Sequence, residues 1–308
     1  MRVLAICSSD MLGIPAVLQL KRQNALVGVA VPIVVATQLV PMLKSWGIAD
    51  HEIVVLTKRD LDIELQRSIS ERRADAIFVF TFPWLIPSSV LKLLPGRCIN
   101  FHFGLLPKYK GADPIFWQIK NGEHMGGIGI HVMTNDIDSG PVLFNAELPI
   151  THGETYGLYT QRLGGFAAEQ VNKILYLPLN DVEQAIVTNA EPALYLKKPT
   201  EQQLMLNWQT QTAKEIENLV NAANPRYGGA ITIFRQMPMK ILEVAAINVS
   251  NPADIAPGTI VYADATYGLV VACLQLQYLK ISVVQIQEGY LSGLRLFSMG
   301  VRVGERLG

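Results

Sequence analysis

An Asn and a His stand two residues apart in CINFHFGLLPKYKGADP, residues 98–114. In an extended strand alternate side chains share a face, so Asn100 and His102 project to one side while Ile99, Phe101 and Phe103 face the other. An amide and an imidazole aimed into one cleft can both donate hydrogen bonds to one oxygen, which is what a tetrahedral acyl-transfer intermediate requires. A carboxylate would complete the set by orienting the imidazole and accepting a proton from an attacking amine. Asp138 is the candidate, because Gly140 and Pro141 in its loop IDSGP imply a tight bend; Asp136 is the local competitor. No nucleophile is framed: GxSxG is absent, and Ser9 in CSSD lacks a glycine cradle. Direct transfer between two bound substrates is the simpler chemistry, set against a satisfied structural network as the bland alternative for such a pair.

The elements around the pair are those of an α/β protein. Short apolar runs at 3–7, 27–31, 53–56, 76–80 and 99–101 alternate with helical stretches such as 61–72 and 88–94. This predicts an open, mostly parallel, Rossmann-like sheet with helices on both faces, and such sheets bind ligands beyond the carboxyl ends of their strands. Asn100 and His102 stand at one such end. The uncharged run 23–43, broken by Pro32 and Pro41, is expected to hold a strand, a turn and a buried helix. Beyond a long helix around 156–175, residues 189–206 read as a connector, with Pro192 and Pro199 as breakers. A helix at 213–223 then precedes short strands to residue 308, which predicts a small β-rich, barrel-like second domain. The expected division is 1–188, 189–206 and 207–308.

Composition narrows the classes. There are 26 Lys plus Arg against 26 Asp plus Glu, so net charge gives no support for a nucleic-acid or anionic-membrane surface. The three cysteines, Cys7, Cys98 and Cys273, form no CxxC pair, which argues against a zinc site or a disulfide framework and fits a reducing cytoplasm. His124 and His131 have no second ligand at fixed spacing and are expected to be structural rather than metal-binding. No membrane partner is expected, and a homodimer is left open.

The segments INFHFGLLPKYKGADPIFWQIKNGE and GIGIHVMTNDIDSGPVL resemble the folate-dependent formyltransferases, whose pattern is approximately N-x-H-x-S-L-L-P-x-x-R-G followed by D-T-G. Further on, LNWQTQTAKEIENLVNAANP, MKILEVA, APGTIV and QEGYLSG are similar to the carboxyl-terminal domain of the methionyl-tRNA formyltransferases within that family. The resemblance implies 10-formyltetrahydrofolate as formyl donor, Asn100 as oxyanion stabiliser, His102 as donor to the formyl oxygen, and Asp138 as support for His102 and manager of the amine proton. It also implies that the pterin lies against mainly backbone groups of two loops, one with Phe82, Trp84, Leu85 and Ile86, the other with Thr134, Asn135, Asp136 and Ile137.

Departures from the pattern bear on the acceptor. The methionyl-tRNA enzymes usually carry a long basic Gly-rich loop after the second strand, whereas VGVAVPIVVATQLVPMLKSWG holds one Lys. Residues 201–308 hold eight basic and eight acidic side chains. Gly104 replaces the usual Ser, and Ala112-Asp113-Pro114 the usual Ala-Ala-Pro, which makes Asp113 a candidate to meet a cationic amine or else a helix cap. Lys108 is a second candidate contact to substrate. CSSDML lacks the Gly-rich phosphate loop of the glycinamide ribonucleotide enzymes. The expectation is formyl transfer to a primary amine of a small molecule, such as an amino-sugar, sugar nucleotide or biosynthetic intermediate. Methionyl-tRNA is the alternative and a disfavoured partner; a non-catalytic folate-binding module is the third reading, against which the intact triad argues.

Overall fold

The computed structural model describes residues 1–177, 194–249 and 254–308. The first half alternates strand and helix: β1 Val3–Cys7, α1 Asp10–Arg22, β2 Leu26–Pro32, α2 Ile33–Ser45, β3 Ile53–Leu56, α3 Leu61–Arg72, β4 Ala76–Phe80, α4 Ser88–Leu93 and β5 Cys98–His102. Then come β6 Tyr109–Gly111, α5 Pro114–Lys120, β7 Met125–Val132, β8 Val142–Pro149, α6 Tyr156–Leu175 and β9 Leu194–Leu196. The main sheet has the order β3-β2-β1-β4-β5-β7-β8, parallel as far as β5, with β7 and β8 antiparallel. The strands are apolar because helices cover them on both faces.

Register carries the polar pair to its place. Val79 is level with Ile6 on one side and Asn100 on the other. The row containing Ile6 and Val79 belongs to the core under α3 and α4. Phe101 faces the other way, with its ring 4.6 Å from Phe80 and 5.6 Å from Phe78. The expected alternation of faces along β5 is therefore present.

One expected element differs. Residues 33–45 form a helix, but it is not buried, and Pro41 lies inside it rather than ending it. β3 is the edge of the sheet, so only the stripe Ala36, Leu39 and Leu43 reaches the core, while Ile33, Val34 and Met42 are exposed. Mean apolarity of the segment did not distinguish one buried stripe from a buried helix.

The chain divides into two compact units, one formed by 1–114, 125–149 and 160–196, the other by 115–124, 150–159 and 197–308. This departs from the expected boundary, because two short early segments join the second unit. The reason lies in α5: Trp117 donates its indole N–H to the Lys197 carbonyl at 2.8 Å, and Phe116 packs edge-on to Tyr227. Of the expected connector, residues 189–193 lie outside the described residues; β9 and α7 (Glu201–Leu204) occupy part of the remainder.

The second unit contains α8 (Ala213–Ala223), and Thr212 and Glu215 form a reciprocal capping box that fixes its start. The strands β10 Ala230–Phe234, β11 Met237–Ile247, β12 Ile260–Asp264, β13 Gly268–Ala272, β14 Tyr278–Ile286 and β15 Gly289–Ser292 make a six-stranded antiparallel sheet, and α9 (Gly293–Ser298) follows. Its path ends at β10 and β12, and the chain terminus bridges these ends through Phe234 with Leu307 and Thr259 with Arg306. Occupying two open edges with one tail satisfies their backbone groups and produces the barrel-like character that the strand pattern predicted.

Candidate active site

The site begins where β5 stops. After His102 the chain turns sharply, with Gly104 N–H donating to the His102 carbonyl at 2.9 Å, and continues into β6. Asn145 of β8 holds this loop by both backbone groups of Leu106, accepting from its N–H at 3.1 Å and donating to its carbonyl at 2.8 Å. A side chain at Gly104 would place its Cβ 2.6 Å from Pro114 Cβ and 3.2 Å from His102 Nε2. The departure from the family's usual Ser thus belongs to a tightly closed loop.

Asp138 arrives on the predicted bend. It adopts a left-handed backbone, φ 48°. A Cβ on Gly140 would lie 1.8 Å from the Val132 carbonyl oxygen, so the bend admits no side chain there. The carboxylate, one-tenth exposed, becomes the hub of the site. Oδ1 accepts from Asn100 Nδ2 at 3.3 Å and lies 3.5 Å from His131 Nε2. Oδ2 accepts from Gly111 N–H at 2.9 Å and lies 3.5 Å from His102 Nδ1.

The electrostatics follow from these partners. Burial opposes ionisation of Asp138, but His131, His102 and the Gly111 N–H together outweigh it and bring the carboxyl down to about 2. Burial is also the largest influence on His102, and it holds the imidazole below its ordinary value although Asp138 and the Tyr109 carbonyl pull the other way. His102 Nε2 stands 2.5 Å from that carbonyl, so its proton is already engaged. His131 Nδ1 faces the Val132 carbonyl at 3.0 Å; with the ring proton there, Nε2 accepts from Asn100 Nδ2 at 3.1 Å.

The structure brings Asn100, His102 and Asp138 together and adds His131, which the sequence placed among structural residues. His131 is 2% exposed and sits directly opposite Asn100 across the antiparallel β5–β7 pair. The available signal was a lone polar residue in the apolar strand GIGIHV, the same kind of signal that marked Asn100. The arrangement can polarise a carbonyl, stabilise a developing oxyanion and hold a nearby imidazolium. In this state, however, both Asn100 amide hydrogens and His102 Nε2 have partners within the protein. An acyl oxygen must therefore replace at least one of them, and the 3.3 Å Asn100–Asp138 bond is the weakest of the three by length.

The two loops expected to hold the pterin border one apolar patch. Phe82 and Trp84 are half-buried, stand edge-on with centroids 5.4 Å apart, and pack on the same core as Met133, which leads into Thr134. Thr134, Asn135, Asp136 and Ile137 are exposed, as is Leu85, so both loops present backbone at the rim. Ile86 is 5% exposed and belongs to the core, which leaves only its backbone for a ligand. These residues suit a flat heteroaromatic ring held by main-chain groups against an apolar wall. Of the two proposed substrate contacts, Lys108 is exposed with its ammonium 5.5 Å from the Tyr109 ring centroid, and Asp113 takes a left-handed backbone, φ 62°, just before α5.

The formyl transferase family model matches residues 18–175, and the model for the formyl transferase carboxyl-terminal domain matches residues 198–301. The chain belongs to the formyl transferase family. It is a folate-dependent formyltransferase, and its formyl donor is 10-formyltetrahydrofolate. A curated relative from Acetivibrio thermocellus, named methionyl-tRNA formyltransferase, is 30% identical over 86% of this chain and 84% of its own. Among solved structures, the sugar 3N-formyl transferase WlaRD, crystallised in the presence of dTDP and 5-N-formyl-THF, has the same fold at 16% identity. Its TM-score is 0.65, covering 91% of this chain and 97% of its own. A HypX variant from Aquifex aeolicus matches at 16% identity and TM-score 0.63 over 98% of this chain, which spans 48% of the HypX length.

Proposed function

We propose that this formyltransferase acts on the amino group of methionyl-tRNA. The observation that carries the reading is the two-domain match: the relative of that name aligns along both family domains and most of both chains. It favours the alternative over the expected small-molecule acceptor, which rested on a missing basic loop, the balanced charge of residues 201–308 and the changes at Gly104 and Asp113. Phosphate contacts are not confined to one loop, and Lys58 and Arg59 after β3 and Lys108 after β5 are exposed at carboxyl ends of strands in the same sheet. A small-molecule amine is the second reading. It draws support from the junction of β2 and α2, where exposed Ile33 and Val34 follow the strand and residues 23–43 carry no charged side chain.

In either case the amine attacks the formyl carbon and charge gathers on the formyl oxygen. Asn100 Nδ2–H and His102 Nε2–H, released from Asp138 and Tyr109, would stabilise that oxygen. Asp138, at about 2, is ionised at neutral pH but weakly basic. Its larger effect is to favour the imidazolium of His102 as the oxyanion forms, with the amine proton leaving to it directly or through water. The bond from the formyl carbon to the folate nitrogen breaks as the oxyanion collapses, and the proton given up by the amine passes to that nitrogen through His102, Asp138 or water.

The test is formylation of methionyl-tRNA alongside amino-sugars, sugar nucleotides and short peptides. Turnover of the tRNA is expected, with its KM rising steeply with salt as counterion release requires. Turnover of a small amine alone, insensitive to salt, would establish the second reading.

A further inference from the structure

β6 is three residues long, yet its backbone meets both titratable members of the triad. Gly111 N–H donates to Asp138 Oδ2 at 2.9 Å, and the Tyr109 carbonyl engages His102 Nε2 at 2.5 Å. Between them, Lys110 Nζ donates to Ser139 Oγ at 3.3 Å, in the bend that carries Asp138. On its far side β6 is held by β9 in parallel register, Tyr109 with Leu194, Lys110 with Tyr195 and Gly111 with Leu196. The Ala112 N–H continues the ladder by donating to the Leu196 carbonyl at 2.8 Å. Gly111 has φ 100°, and a Cβ on it would lie 2.3 Å from the Leu196 oxygen. Only glycine lets the strand touch Asp138 and lie against β9 at once.

We propose that the β6–β9 ribbon is the positioning frame of the transfer site, with Gly111 fixing Asp138, the Tyr109 carbonyl holding His102 in the free enzyme, and β9 setting how β6 lies. This rests on reading Asn100, His102 and Asp138 as the transfer site. Gly111 touches no reacting atom and acts through Asp138. His102 Nε2–H serves the Tyr109 carbonyl or the acyl oxygen in turn, so displacing β6 changes the chemical step more than folate binding.

The test uses the full-length protein carrying Gly111→Ala, and Leu196→Pro with Leu196→Ala as its control, since Leu196 turns its carbonyl to Ala112 and its N–H to the same side, so a proline removes a ladder donor to β6 while alanine keeps it. Two quantities are read: the acid-range titration of the Asp138 carboxyl by carbon NMR, and formyl transfer to whichever acceptor the wild type uses. Without the Gly111 N–H the carboxyl is expected to titrate about one pH unit higher. The acid limb of kcat/KM is expected to move up with it, and kcat to fall about 10- to 100-fold with the folate KM changed less than about 3-fold. Leu196→Pro should reproduce these changes and Leu196→Ala should not, which keeps the test decisive if Gly111→Ala fails to fold. An unmoved carboxyl titration in folded variants overturns the frame. A moved titration in a protein whose wild type formylates no amine leaves the frame standing and sinks the transfer reading instead.

Discussion

Asp138 is the residue on which the local electrostatics turn, since four groups converge on its two oxygens. Folding depresses its pKa to about 2, so it contributes stability that is fully present above the unfolded value near 4 and is lost as pH falls through the folded one. Urea unfolding between about pH 4 and about pH 2 should show roughly 2 kcal/mol of this pH dependence in the wild type and none of it in Asp138→Asn. His131→Phe removes the acceptor that orients the Asn100 amide, and kcat should fall about 10-fold while folate affinity, measured by fluorescence quenching, stays within about 3-fold. An unchanged kcat would return His131 to a purely structural role. At this scale the sequence was legible where side-chain type carried the information: alternation gave Asn100 and His102, and Gly140-Pro141 gave the Asp138 bend. It was not legible where the main chain did the work. Every residue has an N–H and a carbonyl, so nothing in the letters marks those of Gly111 and Tyr109.

At the scale of elements, the site is a junction of β5, β6, β7 and the bend before β8. Antiparallel pairing of β5 with β7 sets Asn100 against His131, a contact 31 residues apart in sequence. The alternation of strand and helix made the sheet predictable, but the order in which later strands return to it was not, and with it the place of His131 was lost. The edge position of β3 likewise turned an expected buried helix into one with an exposed face. The bend after β7 gives a stability prediction. Gly140→Ala forces a Cβ against the Val132 carbonyl, so the backbone must shift, and a loss of more than about 2 kcal/mol is expected in chemical denaturation. A loss below about 0.5 kcal/mol would mean that the bend relaxes freely and does not fix Asp138.

At the scale of the whole molecule, both expected domain types are present, an α/β sheet and an antiparallel β-rich unit, but the boundary is interleaved. Segments 115–124 and 150–159 join the second unit through contacts distant in sequence, such as Trp117 with Lys197, which no local pattern announces. The two family matches extend across most of the chain. Asn100, His102 and Asp138 are the residues proposed to carry out formyl transfer. The most direct measurement is single-turnover formylation of methionyl-tRNA from 10-formyltetrahydrofolate by the wild type and by His102→Ala, with folate binding measured on the same samples. Transfer by the wild type is expected, with a loss of about 100-fold or more in His102→Ala and folate affinity changed less than about 3-fold. A His102→Ala protein that transfers the formyl group within about 3-fold of the wild-type rate would contradict that assignment.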